Sequence, residues 1–150
     1  MPRAKIELPS SFRFCTEITP RITDINYGGH LGNDSLLSII HEARVRFLSH
    51  YGFSELNIGN VGIILTDAVI VYKSECFYGN SLLIEVDVAN FTNCNCDIYY
   101  KITEKNSSIL IATAKTNIAF YDYKTRKVVK VPESFLSTFL TNEHIFPADT

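Results

Sequence analysis

One segment constrains the fold more than any other. From about Asp34 to about Tyr51, the residues Leu36, Leu37, Ile39, Ile40, Ala43, Val45, Phe47, Leu48 and Tyr51 recur at helical spacing yet cover far more than one stripe. A surface helix needs one apolar face, so a helix this apolar around its circumference must be largely wrapped by other structure. Asn33 or Asp34 is a good N-cap for it, and Gly52 offers a C-terminal stop.

After the helix the apolar period changes from three-to-four to two. Val61 to Phe77 is a long β-rich run, and Gly79-Asn80 breaks it in the manner of a hairpin turn. Leu82, Ile84, Val86 and Val88 then alternate with more polar neighbours, and Ile98, Tyr100 and Ile102 repeat the alternation. Thr92 to Asn95, Glu104 to Ser108 and Asp122 to Arg126 read as turns, with a further β-rich run from Ile109 to Tyr123. Val128 to Val131 extends that run, and Pro132 opens a short amphipathic helix through Leu140. Before the helix, residues 1–10 form a loose, flexible arm ending at Pro9, and Ser11 to Ile18 a short first strand. The order is one strand, one central helix, then a meander of about four antiparallel strands. A sheet wide enough to curl around the helix buries both, and a second copy is expected to cover what one helix leaves open.

A chain of 150 residues suits a single domain over 1–150, with a core of useful size. Its formal net charge of −2 argues against a phosphate-tracking surface, so nucleic acid is a poor partner. No stretch approaches the ~18 continuous apolar residues of a membrane span, and no apolar leader precedes the first prolines. A cytoplasmic location is expected. Cys15, Cys76, Cys94 and Cys96 contain no C-x-x-C and read as reduced thiols. His30, His41, His50 and His144 lack the usual ligand spacings, so no metal is expected.

The stretch Arg21 to Leu48, a polar glycine-rich turn and the helix it feeds, carries the chemistry. Gly28, Gly29 and Gly32 permit a tight loop that feeds directly into the helix start. Such a junction leaves backbone N–H groups unpaired, with the positive end of the helix dipole behind them. It attracts an anion, or an oxygen about to become one. The N–H groups of Gly32, Asn33 and Asp34 are the candidate oxyanion hole, with ordinary capping as the alternative.

Asp24-Ile-Asn26-Tyr-Gly-Gly-His30-Leu-Gly-Asn33 is similar to the D-x-D-x-x-x-H-x-x-N loop of the hotdog-fold thioesterases of the 4-hydroxybenzoyl-CoA thioesterase type. His41-Glu42-Ala43-Arg44 resembles that family's E-A-R helix signature, Tyr78-Gly79-Asn80 its F-G-D turn, and Tyr121-Asp122 through Arg126-Lys127 its D-x-x-x-R-K pattern. The resemblance covers nearly the whole chain. It implies an α+β hotdog fold, a curled antiparallel sheet around one long helix with a short C-terminal helix. It further implies hydrolysis of an acyl-CoA or acyl-carrier thioester, with no cofactor beyond the CoA of the substrate. A homodimer, or a dimer of dimers, would place its sites at the subunit interface.

One departure bears on mechanism. Asn26 stands where many members have an Asp, and a neutral amide neither takes a proton from water nor attacks a carbonyl at useful rates. Another layout in the wider superfamily puts the working carboxylate on the helix, which here is Glu42. By helix rise Glu42 lies about 13 Å beyond Asn33, so it would serve a partner's site, or else pair with Arg46 at i+4. His30 could orient or deprotonate water, or tie the loop down. Asn26 could position water or the thioester oxygen, or anchor its own turn. Asp24 could raise the basicity of His30, or bond its own backbone. Asp67, within an apolar strand, reads as a buried carboxylate with a structural hydrogen bond. Arg126 and Lys127 could meet CoA phosphates, or lie on a solvated turn. Two other functions stay open: a hotdog enoyl-CoA hydratase, and a non-catalytic acyl-CoA-binding protein.

Overall fold

The computed structural model describes residues 3–140. His144 lies outside the described residues. The elements are β1 (Phe14–Ile18), a 3-10 turn (Ile22–Asp24), α1 (Asn33–His50), β2 (Gly62–Tyr72), β3 (Leu82–Ala89), β4 (Asn95–Glu104), β5 (Leu110–Asp122), β6 (Lys127–Val128) and α2 (Glu133–Leu140). The strands form one six-stranded antiparallel sheet in the order β1-β3-β4-β5-β2, with β6 on β5. This is the hotdog fold.

Three turns fall where the sequence places them, but the pairing is not a simple meander. β2 lies against β5, with Val69 opposite Lys115, and β3 pairs with β1, with Thr16 opposite Ile84. Gly79-Asn80 is therefore no hairpin turn. It sits in a crossover between opposite sides of the sheet, where Gly79 takes φ +94 and Asn80 Oδ1 accepts the Phe77 N–H at 2.9 Å. Residues 73–77, expected to continue the strand, leave the ladder after Tyr72 and pass beside the loop ahead of α1.

α1 begins at Asn33 with Gly32 in the N-cap position, so neither Asn33 nor Asp34 caps the helix as expected. The Gly32 carbonyl accepts the Leu36 N–H at 3.1 Å, while the Asn33 side chain turns to the Asp34 N–H at 2.9 Å. Leu36, Ile39, Ile40, Ala43, Phe47 and Leu48 recur at i, i+3, i+4 spacing and are buried against the sheet. The opposite face is open. Leu37 stays 49 % and Val45 42 % exposed, so the sheet wraps less of the circumference than the sequence suggested.

The core contains Ile84, Val86, Ile98, Tyr100, Ala114, Ile118 and Phe120 from the concave side of the sheet. α2 closes one end through Phe135 and Phe139, the latter stacked on Phe47 at 5.5 Å between centroids. Arg13 fastens β1 to both neighbours. Its backbone N–H and guanidinium bind buried Asp87 at 2.7 and 3.3 Å, and the guanidinium also donates to the Phe139 carbonyl at 2.8 Å. The arm ahead of it lies against the sheet, with Pro9 buried and Arg3 donating to the Tyr72 carbonyl at 3.0 Å.

Asp67 is a correction. A register shift between Leu65 and Asp67 breaks the alternation of β2, and residues 65–68 all face solvent. Asp67 is thus exposed and pairs with Lys115 at 3.1 Å. All four cysteines are free. Among the described residues no helix is long and apolar enough to cross a membrane.

Candidate active site

The loop from Asp24 to Gly32 folds back on itself through its backbone. Asn26 N–H donates to the His30 carbonyl at 2.9 Å, Gly29 N–H to the Asn26 carbonyl at 3.0 Å, and Gly32 N–H to the Asp24 carbonyl at 2.9 Å. Gly29 carries φ +84, which a side chain would resist. Asn26 Oδ1 accepts Gly28 N–H at 2.9 Å and His30 N–H at 3.4 Å, so this amide anchors its own turn. Asp24 likewise accepts the Arg21 N–H at 2.8 Å and does not reach His30 among the described contacts.

The loop is docked on the crossover. Leu31 N–H donates to the Cys76 carbonyl at 2.7 Å, and His30 bridges to Phe77. Between the two strips lies a cleft of about 680 Å³ whose wall includes His30, Asn33, Asp34, Tyr72, Lys73 and Glu75. Its apolar part is made by Leu31, Leu36, Cys76 and Ile111.

Of the three candidate oxyanion donors, the cleft keeps one free. The Gly32 N–H is consumed by Asp24, and the Asp34 N–H faces Asn33 Oδ1. The Asn33 N–H has no partner among the described residues and stands at the first position of an 18-residue helix. The Gly32 carbonyl, in the same peptide as that donor, is held by the Leu36 N–H at 3.1 Å, and the Asn33 carbonyl of the next peptide by the Tyr72 hydroxyl at 3.1 Å. Burial, then the charge of Asp34, pushes the Tyr72 phenol above its ordinary value, so it stays a donor. Burial, then Glu104, also raises the Cys76 thiol, which keeps it from acting as a thiolate in the cleft.

The sequence model of the Thioesterase-like superfamily matches residues 20–139. The chain belongs to that superfamily. Similar solved structures include the 1,4-dihydroxy-2-naphthoyl-CoA thioesterase of Synechocystis, with 24% identity, TM-score 0.76 and coverage of 83% of this chain and 93% of that one. The DHNA-CoA thioesterase of Staphylococcus aureus aligns with 20% identity and TM-score 0.70 over 85% of this chain and 83% of that one. A hypothetical protein from Staphylococcus aureus in complex with CoA gives 17% identity and TM-score 0.74 over 91% and 84%. At these identities the likeness is one of fold. No curated protein matches the chain at a significant level.

The remaining sequence candidates of this thioesterase-like protein lie away from its cleft. Glu42 sits on the open face of α1 and accepts Arg46 Nε at 2.8 Å, while Arg46 also donates to Thr16 and to the Glu17 carbonyl. Arg126 and Lys127 follow β5 at its far end. Ile111 lines the cleft, and the strand runs on to Asp122, roughly 36 Å of path at strand rise. Asp122 caps their turn by accepting the Lys124 N–H at 2.9 Å.

Sequence reasoning passed over Tyr72, Lys73 and Glu75. Glu75 Oε1 lies 3.8 Å from His30 Nε2 in the cleft wall. The signal that could have found it is the run Lys73-Ser-Glu75, a polar interruption between an apolar strand and the Gly79 turn.

Proposed function

We propose that this chain hydrolyses the thioester of an acyl-CoA or acyl-carrier substrate to the free acid and thiol. The observation that carries this reading is the unpaired Asn33 N–H at the head of α1, on a residue that lines a cleft with an apolar part. Attack of water on a thioester puts negative charge on the carbonyl oxygen, and one aligned donor is worth ~3 kcal/mol of transition-state stabilisation. Leu36, Cys76 and Ile111 give the acyl group an apolar surface beside that donor. Lys73 offers the carrier's phosphates a cation on the same wall. The fold shared with a protein in complex with CoA supports a CoA-type ligand.

Glu42 stays outside this reading, since Arg46 already holds its carboxylate. The functional unit is a homodimer in this proposal. Tyr27, fully exposed at the lip of the cleft, and Leu37 and Val45 on the open helix face are the surfaces a second copy would cover.

The test is a panel of acyl-CoA substrates followed by thiol release, with an enoyl-CoA followed by loss of its conjugated absorbance. Thiol release from a saturated acyl-CoA is expected. Loss of enoyl absorbance without thiol would mean a hydratase, and saturable binding with no turnover a carrier.

A further inference from the structure

Resting on the hydrolytic reading above, we infer that Glu75, delivered by the crossover after β2, is the general base of this site, and that His30 positions it and the water between them.

Neither acidic-type position of the loop, Asp24 or Asn26, offers a carboxylate free for the task. Asn26 is neutral and its oxygen is occupied by two N–H groups of its own turn. Asp24 is bound to Arg21 through its backbone N–H and, at 3.7 Å, its guanidinium. Asp34 also lines the cleft, at the second position of α1, but among the described residues no imidazole is paired with its carboxylate as His30 is with Glu75. The other strip supplies Glu75, the cleft carboxylate that faces His30.

The opposition of Glu75 and His30 is built rather than incidental. Cys76, the next residue, accepts the Leu31 N–H at 2.7 Å, and Phe77 bridges His30, so the backbones on both sides are tied residue by residue. Ahead of Glu75, Lys73 and Ser74 both donate to the Ile111 carbonyl, at 2.8 and 3.2 Å. His30 is set by the bare Cα of Gly28, where a β-carbon would stand 3.3 Å from the imidazole Nε2. The Nε2 to Oε1 separation of 3.8 Å is beyond a direct hydrogen bond, yet a water can lie within ~2.8 Å of both groups.

The step balances without a further reactant. Glu75 takes a proton from the water as its oxygen bonds the thioester carbon, and the carbonyl electron pair moves to the oxygen facing the Asn33 N–H. As that pair returns, the carbon–sulfur bond breaks. The thiolate leaves with the proton held by Glu75, giving free acid, free thiol and the carboxylate base again.

The experiment compares wild type, Glu75→Gln and Glu75→Asp in thiol release from the best acyl-CoA, together with binding of its non-hydrolysable thioether analogue. Loss of a general base typically costs 10²–10⁴-fold in rate. We expect Glu75→Gln to lower kcat at least ~100-fold with KM and analogue affinity near wild type, and Glu75→Asp to recover part of the loss. Thiol release by wild type and Glu75→Gln at equal kcat overturns the role of Glu75 and leaves hydrolysis standing. A change confined to KM and analogue affinity overturns it too, since Glu75 would then only hold substrate. No thiol release by the wild type on any substrate overturns the hydrolytic reading, and the assignment of Glu75 with it.

Discussion

Asn26 Oδ1 accepts the backbone N–H of Gly28 at 2.9 Å, a bond across two residues that closes the loop on which the cleft is built. The acceptor is an oxygen that a carboxylate would supply equally well. Asn26→Asp should therefore keep the turn, with a melting temperature within a degree or so of wild type. Asn26→Ala removes the acceptor for both Gly28 and His30, at a cost of about 1 kcal/mol, or some 2 to 4 °C for a chain of this size. Thermal melts of the two variants side by side check this, and an equal loss in both would mean that the amide nitrogen carries the loop.

A second relation sits in the core. Arg44 is almost fully buried within α1, and its Nε donates to Glu55 Oε2 at 2.7 Å while Nη1 donates to the Tyr100 hydroxyl at 3.4 Å. His41 approaches the other Glu55 oxygen at 2.8 Å. Removing Arg44 leaves the Glu55 carboxylate to His41 alone and the Tyr100 hydroxyl to Thr116 alone. Because the Glu55 side chain keeps 26% exposure, Arg44→Ala should cost about 3 kcal/mol, the low end for a broken buried pair. Denaturant unfolding measures it.

The same cluster sets an acid limit. Burial works against the Glu55 charge, but the bonds from Arg44 and His41 outweigh it and bring its pKa below the ordinary carboxylate value. A group with a lowered folded-state pKa stabilises above its unfolded value, and that contribution is lost as pH falls through the folded one. Wild type should therefore lose stability below about pH 4.5 more steeply than Glu55→Gln. Parallel slopes from pH 6 to 3 would show that Glu55 does not contribute to this loss.

The helix and most turns were readable because their signals are local. Gly52, Thr92 to Asn95, Glu104 to Ser108 and Pro132 act within a few residues of themselves, and the structure has them at the ends of elements. Strand pairing is not local. Nothing in residues 73–81 announces that β3 turns away to β1, since the same Gly-Asn pair serves a hairpin or a crossover. Asp67 misled for a related reason, because the register shift beside Thr66 reverses a two-residue alternation that otherwise points it inward. At the site, sequence pattern located the loop and the helix head but not Glu75. Glu75 meets His30 through the Leu31 to Cys76 bond and the His30 to Phe77 bridge, contacts between distant parts of the chain.

Glu42 illustrates the converse, a residue whose motif suggests chemistry and whose surroundings supply a structural partner. Its pair with Arg46 spans one turn on an open helix face, with both side chains about half exposed. Such pairs contribute ~0.3–0.5 kcal/mol. Glu42→Ala should leave kcat within about twofold of wild type, the near-neutral behaviour of most surface changes. A loss of the size expected for a general base, with an unchanged melting temperature, would place the working carboxylate on α1 of a second copy and not on Glu75.

Arg126 offers a test in which stability and substrate binding separate. It holds φ +58 in the turn between β5 and β6, a left-handed conformation that costs an L-residue ~1–2 kcal/mol and glycine almost nothing. Glycine also loosens the unfolded chain, which takes back ~0.4–1 kcal/mol. Arg126→Gly should therefore be more stable than wild type by roughly 0.5 kcal/mol. Lying at the end of β5 away from the cleft, it should leave KM for acyl-CoA unchanged, whereas Lys73→Ala, in the cleft wall, should raise KM. Chemical denaturation and steady-state kinetics on the two variants decide the matter. A rise in KM for Arg126→Gly that fades with added salt would put this turn on the carrier's phosphates, from a second protomer across the interface.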